Sequence, residues 1–159
     1  MDESAENAVT FKRPESVLVV VFTRFGEVLM MERTHPTGFW QSVTGSLKWG
    51  ESPLHAARRE LNEETGLMPG PLRDLRISAT FNIRPPWRER YAPDQHVNLE
   101  HWFALEVSSR RTIHLNGDEH RQYRWLPWWE AYGKSSSHTN KDCIRYLFAT
   151  EFGAMGSGI

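Results

Sequence analysis

The sequence lacks most of the features that are typical of secreted proteins, membrane proteins and strongly basic nucleic-acid-binding proteins. Cys143 is the single cysteine among 159 residues, which excludes an intramolecular disulfide and is typical of a reducing compartment. The longest apolar run, Val17 to Phe22, is far shorter than the ~20 residues that a transmembrane helix needs. Lysine and arginine number 19 against 20 for aspartate and glutamate, so no excess of basic charge indicates nucleic acid as a partner. We therefore expect a soluble protein with neither a membrane nor a nucleic-acid partner.

The two ends of the chain are expected to lie outside one compact domain. Residues 1–12 begin with acidic residues and contain no apolar stretch of the kind that a signal peptide needs, which predicts a mobile N-terminus and a cytoplasmic location. Residues 13–151 have the length of a single domain. Residues 152–159 are rich in glycine, which predicts a flexible tail. Cys143 lies in an apolar run, so we expect it to fill the core rather than to act as a nucleophile.

Hydrophobic periodicity predicts strands interleaved with helices. The β-branched run Ser16–Thr23 is typical of a strand that is buried on both faces. Further strands are predicted over Glu27–Arg33, Phe39–Ser46, Arg73–Ile83, Leu99–Val107 and Tyr123–Leu126. Helices are predicted over Pro53–Glu64 and Pro127–Tyr132, and from a capping box at Thr139 and Asp142 to about Thr150. This order favours an α/β fold with helices layered on a mixed sheet.

The predicted helix 53–64 has clear start and stop signals. Ser52 can cap its N-terminus, Pro53 suits the first helical position, and Gly66 can end it. Residues expected to face the sheet recur at a spacing of three to four and are Leu54, Ala57, Leu61 and Thr65. By contrast, residues 84–98 are rich in proline and arginine, and such an excursion more often lines a site than fills a core.

Three glutamates share one face of this helix. Glu60, Glu63 and Glu64 stand at positions i, i+3 and i+4, where like charges repel one another. A bound cation would relieve this repulsion, and oxygen ligands without neighbouring cysteine or histidine favour Mg²⁺ or Mn²⁺ over Zn²⁺. On the glutamates alone, a solvated acidic face paired with Arg58 and Arg59 is equally consistent with the sequence.

The spacing across residues 45–67 distinguishes these alternatives, because it resembles the signature of the Nudix hydrolase family, G-x5-E-x7-R-E-U-x-E-E-x-G-U, where U is apolar. Its nine defined positions are filled by Gly45, Glu51, Arg59, Glu60, Leu61, Glu63, Glu64, Gly66 and Leu67. The resemblance implies an α/β/α sandwich in which this segment forms a loop–helix–loop. It also implies hydrolysis of a pyrophosphate linkage in a small nucleotide-like molecule with the help of Mg²⁺, Mn²⁺ being the alternative ion.

The resemblance assigns roles to individual residues of this segment. Glu60, Glu63 and Glu64 are the implied metal ligands, together with the carbonyl oxygen of Gly45, and Glu60 and Glu63 are also counted as catalytic. Arg59 is implied to orient one of these glutamates.

Two further glutamates are assigned less directly. Glu51 is expected to brace the loop before the helix rather than to bind metal. The base that activates water varies within the family; Glu119, in the polar segment before the predicted strand Tyr123–Leu126, is the candidate for this role and for a further metal ligand.

Segments outside the signature favour one branch of the family. The stretches KRPESVLVVVF, FWQSVTGSL, RERYAPDQHVNLEHWFAL and DEHRQYRWL resemble bacterial members that hydrolyse dihydroneopterin triphosphate in folate synthesis. The implied substrate contacts combine cationic side chains for the triphosphate, aromatic rings for stacking, a peptide edge from residue 81 to 84 and two hydroxyl groups. These residues are Lys12, Arg33, Trp40, Thr44, Phe81, Asn82, Ile83, Arg84 and Ser137.

Two other functions remain open at this point. A broad nucleoside triphosphate pyrophosphatase would use the same signature, because guanine and pterin present similar edges. A non-catalytic domain that senses a nucleotide is less consistent with the sequence, since such domains usually lose the glutamates that are all present here. The expected partner is a small triphosphate molecule, and the protein is expected to be a monomer or a homodimer.

Overall fold

The computed structural model describes residues 10–149, which form seven strands in one mixed sheet together with three α-helices. The strands are β1 (Glu15–Thr23), β2 (Glu27–Arg33), β3 (Trp40–Gln41), β4 (Val43–Ser46), β5 (Arg73–Asn82), β6 (Val97–Val107) and β7 (His120–Pro127). The helices are α1 (Pro53–Thr65), α2 (Trp128–Lys134) and α3 (His138–Leu147), and a single 3₁₀ turn spans Trp87–Arg90.

Strand β1 organises the sheet because it has a different neighbour along each part of its length. Its whole length pairs in parallel with β6, while its first half pairs antiparallel with β4 and its end pairs with β2. Strands β5 and β7 pair antiparallel with β6 and β2 respectively. The sheet is therefore mixed, as predicted, and β4 brings residues 43–46 beside the start of β1.

Helices cover both faces of the sheet, which confirms the predicted α/β/α sandwich. On one face, α1 contributes Ala56, Ala57 and Leu61 to a core cluster with the odd-numbered valines of β1. On the other face, α2 and α3 pack against the even-numbered residues of β1 and β2. Cys143 of α3 is fully buried in this second cluster, so the prediction that it fills the core is confirmed. No helix within residues 10–149 is long and apolar enough to cross a bilayer.

Several local predictions were wrong. Leu54 is 39% exposed, so it does not face the sheet; α1 instead buries Ala56, which together with Ala57 lets the helix approach the sheet closely. The predicted strand Phe39–Ser46 is interrupted at Ser42, whose backbone N–H donates to Asn140 Oδ1 at 2.8 Å instead of joining a strand ladder.

The start and end of the last helix also differ from the prediction. Ser137 caps α3, because its Oγ accepts a hydrogen bond from Asn140 N at 3.1 Å, and Thr139 lies within the helix. The helix ends at Leu147, while the predicted end at Thr150 lies outside the described residues. The same is true of residues 1–9 and of the proposed flexible tail. Lys12, by contrast, is hydrogen-bonded through its backbone N–H to Arg90 O at 2.9 Å.

Candidate active site

Helix α1 begins and ends where its sequence signals predict. Ser52 Oγ accepts a hydrogen bond from His55 N at 3.2 Å, and Pro53 takes the first helical position. Gly66 adopts a left-handed conformation with φ of 75°, and its N–H donates to Asn62 O. The caps set the bounds of α1, and burial of Ala56, Ala57 and Leu61 against the sheet sets the direction in which its glutamates point.

A partly buried ion pair holds the loop before α1 against the helix. Arg59 donates from Nε to Glu51 Oε2 at 2.8 Å and from Nη2 to Glu51 Oε1 at 2.9 Å, a two-point geometry that is among the strongest ion pairs. Arg59 Nη2 also donates to Ser46 O at 3.1 Å. The guanidinium holds the pKa of Glu51 well below its usual range. The prediction that Glu51 braces the loop is therefore confirmed.

The same arginine contacts two of the helix glutamates. Arg59 Nη1 donates to Glu60 Oε1 at 2.8 Å and to Glu63 Oε2 at 3.2 Å, as expected of a residue that orients them. Burial raises the pKa of Glu60, although the Arg59 hydrogen bond opposes this change. Glu63 is different, because its side chain is 54% exposed and it does not line the cavity described below.

Glu64 is the most unusual of the three glutamates. Its side chain is 1% exposed, and neither carboxylate oxygen has a hydrogen-bond partner within residues 10–149. Burial raises the pKa of Glu64 well above its usual range, and the nearby charges of Glu60 and Glu119 raise it further. An unpaired buried carboxylate costs several kcal/mol unless something compensates it, so this group calls for a positive ligand.

Two residues from the start of β7 complete a cluster around Glu64. Single ligand atoms of Glu64, Glu119 and His120 all lie within 4.8 Å of one another. A divalent cation fits this donor set, because it would satisfy the unpaired Glu64 oxygens and offset the repulsion among the carboxylates. Glu119 was predicted for this position from the resemblance.

His120 was not predicted. It is buried, with Nε2 lying 3.0 Å from Gln41 Nε2 and 3.7 Å from Glu64 Oε1. Burial, together with the charge of Arg33, lowers the pKa of His120 to about 4, so the ring is neutral near pH 7 and its nitrogen can accept or ligate. Its position directly after Glu119 was the one available signal in the sequence.

Gly45 lies against the carboxylate of Glu60. A β-carbon built on Gly45 would overlap the carboxyl carbon and an oxygen of Glu60. The absence of a side chain at Gly45 therefore lets the Glu60 carboxylate lie directly against β4.

We expect the substitution Gly45→Ala to displace the Glu60 carboxylate while the fold survives, since the group that must move is the end of a flexible side chain. A shift of ~1 Å at a reacting centre can cost ~100-fold in rate, and we expect a loss of kcat up to that size. Steady-state kinetics beside a thermal melt would test this. Gly117→Ala is the matched control, because a β-carbon there meets nothing within 4 Å. Equal activity of both variants would contradict the close-approach role.

A cavity of about 1100 Å³ opens beside this cluster. Gly45, Glu60 and Glu119 lie on its wall. The predicted substrate residues that also line it are Lys12, Arg33, Thr44, Phe81, Asn82, Ile83, Arg84 and Ser137. Residues of the proline- and arginine-rich excursion line it as well, including Trp87 and Tyr91, so this segment borders a cavity, as a site-lining segment would.

Trp40 is the exception among the predicted substrate residues. It is 8% exposed, packs in the core cluster beneath α2 and α3, and does not line the cavity. Because side chains alternate along a strand, its neighbour Gln41 faces the cavity instead. The stacking role assigned to Trp40 is therefore wrong. Trp87, whose ring faces Arg33 at 5.7 Å, is an aromatic residue of the cavity wall that sequence reasoning missed.

Comparisons with known proteins agree with this geometry. The family model described as the NUDIX domain matches residues 12–147. The chain is 37% identical over 139 residues to dihydroneopterin triphosphate diphosphatase of Escherichia coli, covering 84% of this chain and 91% of the relative. It is 37% identical over 153 residues to the protein of the same name from Haemophilus influenzae, covering 92% and 96%.

Solved structures give the same result. The structure of E. coli dihydroneopterin triphosphate pyrophosphohydrolase superposes with a TM-score of 0.83 and 36% identity, covering 89% of this chain and 99% of that one. The MutT protein of Methanosarcina mazei, at 19% identity and a TM-score of 0.67, shares the fold. Together with the complete loop–helix–loop signature, these matches establish that the chain belongs to the NUDIX family of hydrolases.

Proposed function

We propose that this chain is a Mg²⁺-dependent pyrophosphohydrolase that cleaves dihydroneopterin triphosphate into dihydroneopterin monophosphate and pyrophosphate. The observation that carries the proposal is the position of the acidic cluster around the buried Glu64, whose neighbours Glu60 and Glu119 line a cavity that also has a cationic and aromatic wall. The names of the two bacterial relatives, which cover most of this chain, support the choice of substrate.

Metal binding is assigned to residues that surround Glu64. Glu60, Glu64, Glu119 and the Gly45 carbonyl would hold Mg²⁺, with Glu63 as an outer contributor, and carboxylate oxygens favour this ion over softer metals. When bound, such an ion neutralises phosphate oxygens and lowers the pKa of an attacking water. His120 offers the one nitrogen ligand of the cluster, and Mn²⁺ is the alternative ion that this nitrogen would accept.

The triphosphate is assigned to the cationic wall. Lys12 and Arg33 line the cavity together with Arg90, and the pKa of Lys12 is lowered by burial and by the charge of Arg90. Positive groups that repel one another in this way are stabilised by an anion. Since Glu60 and Glu119 face the same group of cations, a triphosphate would lie between the two charge clusters.

Glu119 is the residue to which we assign the proton transfer. Its carboxylate is exposed on the cavity wall, so water reaches it, and it lies within the cluster around Glu64. A Glu119 oxygen accepts a proton as the water oxygen bonds to the α-phosphorus. The bond between that phosphorus and the oxygen bridging to the β-phosphate breaks, and pyrophosphate leaves.

A broad pyrophosphatase acting on nucleoside triphosphates is the second candidate. The cavity volume of about 1100 Å³ is at the upper end of the range for small-molecule sites, which leaves room for a nucleoside as well as for a pterin.

A substrate panel separates the two candidates. We expect kcat/KM to be highest for dihydroneopterin triphosphate, intermediate for GTP and dATP, and lowest for pyrimidine triphosphates, because unpaired buried polar groups penalise a mismatched ring. Pyrophosphate and orthophosphate should be measured separately, and pyrophosphate is the expected product. If dATP or dCTP matched the pterin substrate, the specific assignment would be abandoned in favour of the broad activity.

A further inference from the structure

Strand β6 carries two buried polar residues on its cavity-facing side. Asn98 and Glu100 are 0% and 4% exposed, and both line the cavity. The alternation of side chains along a strand puts them on the same face as Trp102. Neither residue belongs to the acidic cluster at Glu64, and the proposed reaction does not use them.

The polar atoms of this pair are only partly satisfied. Asn98 Nδ2 donates to Ser16 Oγ at 2.7 Å, which fixes the orientation of the amide. Asn98 Oδ1 is buried and has no hydrogen-bond partner within residues 10–149. Glu100 Oε1 accepts a hydrogen bond from Trp102 Nε1 at 3.1 Å, and the buried Thr139 hydroxyl also acts on this carboxyl as a donor. Both side chains are buried on the cavity wall, and their oxygens can accept further hydrogen bonds. They are therefore suited to a ligand that presents N–H donors.

Burial disfavours the charged form of the carboxyl group at this position. Burial raises the pKa of Glu100 to about 7, and the hydrogen bonds that it accepts only partly oppose this. A core position of this kind would be more stable with an uncharged side chain. Perturbed carboxyl groups in a cavity tend to mark binding or catalytic sites, and this one lies away from the metal cluster.

The distance across the sheet suits a ring-binding role. Ser16 lies between Glu100 of β6 and Ser46 of β4, so two strand spacings, about 10 Å, separate Glu100 from the strand that carries Gly45. Phe81 of β5 pairs with Asn98 and also lines the cavity, so an aromatic face lies next to the two acceptors. A flat ring held at Glu100 could extend a short linker and its phosphates toward the acidic cluster.

We propose that Glu100 and Asn98 form the subsite that selects the substrate ring, by accepting hydrogen bonds from an exocyclic amino group and the adjacent ring N–H. This edge belongs to 2-amino-4-oxo pteridines and to guanine. The inference deepens the proposed function and rests on it for the choice of a pterin. The residues have a specificity role and need not affect the chemical step.

The test compares Glu100→Gln with Glu106→Gln, an exposed glutamate of the same strand that does not line the cavity. Substrates are dihydroneopterin triphosphate, dGTP and dITP, the last being dGTP without its amino group. Loss of a hydrogen bond to a charged group should lower kcat/KM for the pterin and for dGTP by ~10- to 100-fold, mainly through KM. The dGTP-to-dITP ratio of kcat/KM should fall, and Glu106→Gln should match the parent.

Binding of neopterin, followed by its own fluorescence, provides a readout that does not depend on turnover. We expect Glu100→Gln to weaken neopterin binding by a similar factor. If that variant folds poorly, Glu100→Asp replaces it; its carboxyl group lies one carbon closer to the backbone, and we expect a smaller loss of binding. An unchanged dGTP-to-dITP ratio with unchanged neopterin binding would overturn the subsite. If the parent enzyme ignored dihydroneopterin triphosphate while Glu100→Gln still reduced the ratio, the proposed function would fail and a guanine-selecting subsite would stand.

Discussion

Replacing Glu64 with glutamine is expected to lower kcat by ~1,000-fold or more while making the metal-free protein more resistant to heat. Metal sites commonly supply several kcal/mol of charge stabilisation in phosphoryl chemistry, which corresponds to losses of this size when a ligand is removed. The second effect follows from burial. Glu64 is 1% exposed and its oxygens have no hydrogen-bond partner within residues 10–149, so an uncharged amide of the same shape removes both the cost of burying a charge and its repulsion with Glu60.

Both effects can be measured on the same preparations. Turnover at saturating Mg²⁺ gives the first, and thermal midpoints in EDTA and in Mg²⁺ give the second. Mg²⁺ should raise the midpoint of the parent protein, because a ligand that binds the folded state stabilises it, and this increase should shrink in the variant. Glu106→Gln serves again as the control. Full activity of Glu64→Gln, or an undiminished response to Mg²⁺, would contradict the assignment of Glu64 as a ligand.

The Glu63→Gln variant is expected to lower kcat as well, because the family resemblance assigns that residue to the same site. Its side chain is 54% exposed and contacts Arg59, so no gain in stability should accompany the loss. Comparing the melts of the two variants in EDTA separates a buried ligand from an exposed one. A stability gain in Glu63→Gln equal to that in Glu64→Gln would contradict this distinction.

Replacing Glu119 with glutamine is expected to lower kcat by at least ~100-fold, the scale of general acid–base catalysis, with little change in KM. The glutamine keeps the size of the side chain but cannot accept a proton. Because the Glu119 side chain is exposed, and its backbone carbonyl accepts a hydrogen bond from Thr34 N at 2.8 Å whatever the side chain is, the fold should persist.

Asp118→Asn is the matched control for Glu119, since Asp118 is the adjacent exposed carboxylate and does not line the cavity. Single-turnover measurements would place the loss in the chemical step rather than in product release. A base should lose kcat by about 100-fold when it is replaced. A loss of kcat of less than about threefold in Glu119→Gln would instead indicate that Glu119 is a solvated loop carboxylate with no role in proton transfer.

Elements that depend on local chemistry could be predicted before the fold was known. Helix α1 could be located because Ser52, Pro53 and Gly66 act on their own backbone neighbours, and the spacing of its glutamates identified the family. The buried strand β1 followed from a run of β-branched residues. Such signals need no knowledge of the rest of the chain. The cap of α3 was misplaced because four serine or threonine residues lie between positions 135 and 139, and the local sequence does not distinguish Ser137 from the others.

Contacts between side chains that are distant in the sequence could not be predicted in this way. His120 joins Glu64 because β7 pairs with β2, a contact across most of the chain that no local pattern predicts. Trp40 and Gln41 are equally plausible cavity residues from the sequence alone. The register of the two-residue strand β3 places Trp40 in the core and Gln41 on the cavity wall. The sequence around Glu100 indicates an ordinary strand residue. Its place on the cavity wall depends on the pairing of β6 with β1. Long-range strand pairing, not local propensity, therefore built the walls of this site.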